Sequence, residues 1–293
     1  HTPKPVRTFF TRRNRISAYA IITMKKILAI QLALFFLSAC EKTALTTASD
    51  SVGRPVVEAY LSPGQTPAVK ITYQLAFGSS DTLVKPIDNL QVFIETDGGT
   101  YPLNYSVSDT AYLADGSWEV EAGQTYRLRF DYNGGTVTAE SVIPPKPGGF
   151  SASTGSIAIP QFSPGSGTFP TFPDPIELGW ENTDGAYYLV VVENLETNPE
   201  AIFEDNGTTN RPPRPTFRSE PEQTNTFEIG FQNFQYYGTH RVVLFRLNAE
   251  YASLYDDNGN SSQNLTSPYS NVEGGLGIFT GLNADTLRVE VSK

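Results

Sequence analysis

Residue types that carry most protein chemistry are scarce in this chain. Its 293 residues include one cysteine, Cys40, and two histidines, His1 and His240. A Ser-His-Asp or Cys-His relay needs a histidine within hydrogen-bond reach of its nucleophile, and beyond the first residue only His240 offers one. No Gly-x-Ser-x-Gly turn accompanies it. His240 opens an apolar, strand-like run, so a structural role is the expectation. Zinc sites of several His or Cys ligands cannot be assembled from this stock. Neither a phosphate-cradling Gly-x-x-x-x-Gly-Lys-Ser/Thr loop nor a dinucleotide fingerprint is present. No cofactor is expected.

Carboxylates are the remaining chemical resource. Asp256-Asp257-Asn258-Gly259-Asn260 gathers oxygen ligands around a glycine, as calcium loops do, but lacks the acid that a full loop places several residues later. A polar turn is the expected role, and Glu204-Asp205-Asn206-Gly207 reads the same way. Glycosidases use two carboxylates on β scaffolds, yet the required separation of several ångströms is not encoded in sequence spacing. Asn206-Gly207-Thr208 and Asn264-Leu265-Thr266 match the N-glycosylation acceptor pattern and are taken as chance. Fifteen tyrosines and eighteen phenylalanines could line a binding face, although in a sandwich without disulfides filling cores is their commoner use.

Cys40 has a more specific context. The single methionine, Met24, is followed by Lys25 and Lys26 and then an apolar run from Ile27 to Leu37. That is the order of a secretory signal, and the run is too short for a lasting membrane helix. Residues 1–23 therefore read as an over-extended start, and 24–39 as a signal peptide. The ending Leu37-Ser38-Ala39-Cys40 resembles the lipobox of bacterial lipoproteins. The resemblance implies lipid attachment to the Cys40 thiol and cleavage just before it. Several acyl chains hold far more firmly than one, since each buried methylene contributes about 0.8 kcal/mol. Cleavage would remove seven of the 21 basic residues and none of the 31 acidic ones, moving the formal charge from −10 to −17. Such a charge argues against nucleic acid as a partner.

The elements that must carry any site are read from periodicity. Residues 40–53 are polar and without period, a flexible tether. Val69, Ile71, Tyr73 and Leu75 then alternate with polar residues, as do Leu90, Val92 and Ile94, and Tyr101, Leu103 and Tyr105. Trp118 and Val120 mark a further strand. Asn133-Gly134-Gly135 between Tyr126–Tyr132 and 137–141 predicts a tight hairpin. These define an antiparallel β-sandwich over 54–143. Eight prolines mark 144–175 as a linker or a segment draped on a domain, unsuited to a central strand. A second sandwich is expected over 176–293. Its strands are Ile176–Trp180, 186–192, 226–231, 239–247, 277–279 and 286–291, with a polar loop over 193–223. Ala249 to Tyr255 has the one helical pattern, with Tyr251 and Tyr255 four apart. The fold class is all-β: two antiparallel sandwiches in the manner of immunoglobulin or fibronectin-III domains.

Three motifs add a family resemblance. They are Arg54-Pro55-Val56-Val57-Glu58-Ala59-Tyr60-Leu61 after the tether, the carboxypeptidase-regulatory-like hairpin Gly123-Gln124-Thr125-Tyr126-Arg127-Leu128 with Ile143-Pro144-Pro145, and Ser270-Asn271-Val272-Glu273-Gly274-Gly275-Leu276-Gly277-Ile278-Phe279. Together they resemble the Bacteroidota outer-membrane lipoprotein family catalogued as domain of unknown function 4249. The glycines of the last motif suggest tight turns and close backbone contact. The resemblance carries no catalytic residue. It implies an outer-membrane location and a TonB-dependent receptor as partner. Lys42 matches part of a surface-export signal whose acids are replaced by Thr43 and Ala44, which leaves the periplasmic and outward faces both open. The expected function is a non-enzymatic binding or accessory lipoprotein. The alternatives are a carbohydrate-active hydrolase using carboxylates, and a structural spacer or adhesin-like module. For the anchor, Cys40→Ser should abolish labelling by a fatty-acid probe, and undiminished labelling would remove the lipoprotein reading.

Overall fold

Alternation of apolar and polar residues becomes strands in the computed structural model, which describes residues 53–75, 83–116, 118–161, 171–203, 214–255 and 269–293. Cys40, the signal, the tether up to residue 52 and the polar runs at 204–208, 256–260 and 264–266 lie outside the described residues. The first half supplies β1 (Pro55–Leu61), β2 (Ala68–Tyr73), β3 (Val92–Thr96), β4 (Gly99–Ser106), β5 (Ala111–Leu113), β6 (Thr125–Tyr132) and β7 (Gly135–Val142). Then come β8 (Gly148–Ala152), β9 (Ser156–Ala158), β10 (Ile176–Glu181), β11 (Tyr187–Asn194), β12 (Thr216–Arg218), β13 (Thr226–Ile229), β14 (Gly238–Leu247) and β15 (Leu276–Ser292). Helix is confined to a short turn at Phe231–Asn233 and to α1 (Ala249–Ala252). No helix among the described residues is long and apolar enough to cross a membrane.

Twelve strands make one mixed sheet, in the order β12-β11-β14-β15-β1-β2-β5-β4-β3-β6-β7 with β9 on the end of β15. The other three form an antiparallel sheet, β13-β10-β8. The expectation of purely antiparallel sheets is corrected here, because β15 runs parallel to β1 and to β9.

The β6–β7 hairpin forms where its turn residues place it. Asn133 and Gly134 adopt φ of 50° and 81°, the left-handed pair that matches the twist of a two-residue hairpin. Eight residue pairs follow, from Thr125↔Val142 to Tyr132↔Gly135. One face buries Tyr126, Leu128, Phe130, Val137 and Ala139. The other is solvated and carries the ion pairs Arg127–Glu140 and Arg129–Glu95. The inward residues join Val57, Ala59 and Leu61 of β1, Ile71 of β2 and Phe279 of β15 in one core. Trp118 and Val120 do not form the expected strand. Val120 makes isolated backbone bonds to Gly64 and Gln65, and the Trp118 ring stacks on Tyr101 at 4.4 Å.

A second core lies between the two sheets. Ile176, Leu178 and Trp180 of β10 pack against Tyr188, Val190, Val192, Val242, Leu244, Val289 and Val291 of the large sheet. The proline-rich 144–175 segment contributes β8 and β9, both short and peripheral, where missing ladder donors cost least. Residues 193–223, read as a loop, hold β12.

The closing region differs most from expectation. In place of two short strands there is one of 17 residues. Thr280, Gly281 and Asn283 interrupt the apolar alternation, yet they sit in continuous ladders: β1 pairs with β15 as far as Gly281, and β14 takes over from Leu282. Gly277 shows how closely β15 approaches β1. Its φ is +103°, and a Cβ there would lie 1.9 Å from the Val57 carbonyl oxygen. Gly277→Ala should therefore lose about 3 kcal/mol or more, from left-handed strain plus backbone overlap. Gly64 has a φ of +74° with nothing within 4 Å, so Gly64→Ala should lose only about 1–2 kcal/mol. Urea unfolding of both variants measures the difference, and equal midpoints would contradict this account.

Candidate functional site

Where β14 hands over to β15, the large sheet has a second apolar face. Phe279, Leu287, Val289 and Val291 of β15 face the two cores, while Ile278 and Leu282 point the other way, as the period of a strand requires. On that side Leu189, Leu247, Tyr251 and Ile278 are buried together, with Tyr187, Val191, Phe245 and Leu282 partly covered. α1 follows β14 directly and sets Tyr251 onto this cluster. The Asn248 carbonyl accepts the first hydrogen bonds of the turn, from Tyr251 and Ala252.

Three more side chains complete a groove. Tyr60 points outward from β1 and meets the Tyr251 ring edge-on, with centroids 5.8 Å apart. Tyr255 lies 5.9 Å from Tyr251, realising the four-residue helical spacing. Arg218, opposite Val191 in the β11–β12 ladder, donates to the Tyr251 hydroxyl and places its guanidinium 5.8 Å from that ring. Tyr60, Arg218 and Tyr251 line, with Glu58, a depression of about 400 Å³, and Tyr255 stands beside it against Tyr251.

Burial dominates the electrostatics of the groove tyrosines. Burial and the Tyr255 hydroxyl push the Tyr251 phenol upward, with Arg218 opposing. Burial and Glu58 do the same to Tyr60. Both phenols stay neutral at physiological pH, acting as hydrogen-bonding groups and not as bases. Among the described residues neither Arg218 nor Glu58 has an ion-pair partner.

A polar seam lies beside the groove. Glu250 Oε1 accepts from Ser141 Oγ at 2.7 Å, Thr280 Oγ1 at 3.2 Å and Asn248 Nδ2 at 3.2 Å. Ser141 Oγ in turn accepts from the Gly281 amide at 2.9 Å. Asn283 Nδ2 donates to the Pro144 carbonyl at 2.9 Å. These bonds tie the end of β7 to β15.

His240 occupies the structural position expected of it. It is 2% exposed, packed edge-on to Phe234 at 5.0 Å. Nδ1 donates to the Gly238 carbonyl at 3.0 Å, so Nε2 accepts from Asn194 Nδ2 at 3.3 Å. No group of three or more His, Cys, Asp or Glu able to hold a metal occurs among the described residues. Cys40 and the Asp256–Asn260 run fall outside those residues. Of the groove residues, sequence spacing marked only Tyr251 and Tyr255. Arg218 was hidden in an apparent loop, and Tyr60 appeared only within a family motif.

The model of DUF4249, a domain of unknown function, matches residues 45–288. The chain belongs to this family. No curated protein matches it. Among solved structures, Escherichia coli alpha-2-macroglobulin activated by porcine elastase matches at 12% identity, over 81% of this chain and 23% of that one. Its TM-score of 0.21 supports no argument about fold or function.

The buried imidazole of this DUF4249 member makes a pH prediction. Desolvation holds the His240 pKa below its ordinary value, against smaller opposing effects from the Gly238 carbonyl, Glu290 and Glu196. The unfolded chain therefore binds the proton more readily. Stability should be complete above about pH 6.5 and decline as pH falls toward the folded-state pKa, by at most about 1.4 kcal/mol per pH unit. Thermal melts of wild type and His240→Gln between pH 7.5 and 5.5 check this: the variant should show the flatter profile, and parallel profiles would exclude His240 as the cause.

Proposed function

We propose that this chain is a lipid-anchored, non-catalytic binding module of the outer membrane, held through Cys40 and working beside a TonB-dependent receptor. The observation that carries the binding role is the aromatic groove, in which Tyr60 is 42% exposed while its ring is fixed against Tyr251. Concave surfaces with several aromatic rings and a few convergent polar groups are the usual form of ligand sites. Contiguous exposed apolar patches, unlike single exposed side chains, mark interaction sites on soluble domains.

The non-catalytic part rests on what surrounds the groove. Acid–base catalysis needs a group whose pKa lies near the working pH, and the two perturbed phenols are moved away from it. His240, the one histidine of the described residues, is buried with both nitrogens engaged. The finer fold reading accompanies this proposal: two sandwich-like modules, immunoglobulin- or fibronectin-III-like with a carboxypeptidase-regulatory-like hairpin, share the last strand. The DUF4249 match supports the resemblance from which the outer-membrane location and receptor partner were drawn.

A tagged full-length chain recovered from membranes in a gentle detergent should bring down a β-barrel receptor, and the Cys40→Ser chain should be lost from the membrane fraction. Recovery without any barrel partner would count decisively against the accessory role.

A further inference from the structure

Building on the reading of the aromatic groove as the binding surface, we infer that its ligand is a neutral sugar ring of an oligosaccharide. Four observations narrow the class.

The first is how the backbone beneath the groove is engaged. β1 is paired with β15 and β2, β15 with β14 and β1, β14 with β11 and β15, and β11 with β12 and β14. Within the floor these ladders are met by neighbouring strands or, over 276–281, by the side chains of Asn271 and Ser141, and only β12, which carries Arg218, is an edge strand. Away from that edge, recognition must come from side chains.

The second is charge. Arg218 and Glu58 both line the groove and neither forms an ion pair among the described residues, although Lys70 stands opposite Glu58 in the β1–β2 ladder. An anionic ligand would meet Glu58 and a cationic one would meet Arg218. A neutral polyol satisfies both, because neighbouring hydroxyls accept from the forked guanidinium while another donates to the carboxylate. Charge-assisted bonds of this kind are about twice as strong as neutral ones.

The third is ring presentation. Tyr60 and Tyr255 are 42% and 39% exposed, and both contact the buried Tyr251. Sugar rings carry apolar C–H faces as well as hydroxyl edges, and such faces match open phenol rings that are already oriented. Arg218 is itself held by the Tyr251 hydroxyl, so its fork is positioned before any ligand arrives.

The fourth is size. About 400 Å³ lies toward the small end of the range for ligand pockets, enough for a short stretch of sugar units and too shallow to engulf a large apolar molecule.

The experiment uses the full-length lipoprotein in an uncharged polyoxyethylene detergent without a sugar headgroup, so that neither charge nor sugar from the detergent competes. Calorimetry is run against neutral hexasaccharides (maltohexaose, cellohexaose, xylohexaose and mannohexaose). Hexagalacturonate, hexameric chitosan and a neutral Tyr-containing hexapeptide serve as comparators. At least one neutral hexasaccharide should bind at least roughly tenfold more tightly than either charged one. Tyr60→Ala and Arg218→Gln should each weaken it by roughly tenfold or more, the scale of one lost stacking or charge-assisted contact. Tyr60 is 42% exposed and contacts Tyr251, so Tyr60→Ala should lower the melting temperature by only a few degrees and remain folded at the temperature of the binding experiment. Glu140→Gln, on the solvated face of the β6–β7 hairpin, should bind like wild type. If only a charged oligosaccharide or the peptide binds in a manner lost with Tyr60→Ala, the sugar inference is overturned while the groove remains the binding surface. If no probe distinguishes wild type from Tyr60→Ala and receptor recovery is also unaffected by that change, the groove reading falls with it.

Discussion

Seventeen extended residues, Leu276–Ser292, carry a constraint that no other strand among the described residues shares: one strand must complete both the first and the second core. Phe279 enters the first core, and Val289 and Val291 enter the second, all from one side of the strand. Continuity between the cores therefore depends on keeping the alternation in phase over the whole length. A slip of one residue would turn Phe279 outward and bring Ile278 in, at every position together. The ladders on either side hold that phase, with β1 fixing the first six residues and β14 the next ten.

The hand-over between those ladders has its own cost. Over residues 276–281 the flank opposite β1 has no β14 to pair with. Side chains from elsewhere fill the vacancy. Asn271 donates to the Phe279 carbonyl at 2.7 Å and accepts its amide at 3.0 Å, and Ser141 Oγ accepts the Gly281 amide at 2.9 Å. Buried backbone groups left without partners would each cost about 1–3 kcal/mol, so these contacts decide whether the strand can run through. The same passage explains why the strand is small and polar in its middle. A Cβ on Gly281 would lie 2.7 Å from the Val142 carbonyl oxygen, and Thr280, fully buried, spends its hydroxyl on Glu250.

How much of this could be read from the residues follows from the range of the interactions. The β6–β7 hairpin was legible because Asn133, Gly134 and the alternation on both sides act within a dozen residues. The glycine-rich motif at 270–279 was legible as close backbone contact, since Gly274 and Gly277 do have positive φ and do abut Thr136 and Val57. The unity of β15 was not, because Gly281 and Asn283 look like breaks until their distant partners, Ile143 and Pro144, are in place. β12 was missed for a similar reason. Three residues, Thr216–Arg218, form a strand only because β11 offers an edge, and no local pattern announces that. Trp118 misled in the other direction, since an apolar pair at strand spacing served to cover a core edge by stacking on Tyr101.

The groove is a by-product of the same strand. Because β15 turns Phe279, Leu287, Val289 and Val291 to the cores, Ile278 and Leu282 are forced onto the opposite face, where they would be exposed in the absence of a cover. α1 supplies that cover only in part. It lowers Tyr251 over Ile278 and Leu247 and satisfies Glu250 against Ser141 and Thr280, but it ends after four residues. Tyr60 and Tyr255 are left flanking it with open rings. A longer helix would have sealed the face, and a bare sheet would have lacked the fixed rings and the Arg218 fork. The short turn thus holds one tyrosine as an interior anchor and leaves its two neighbours available. This is the arrangement in which apolar contact area and preorganised hydrogen bonding meet at one place.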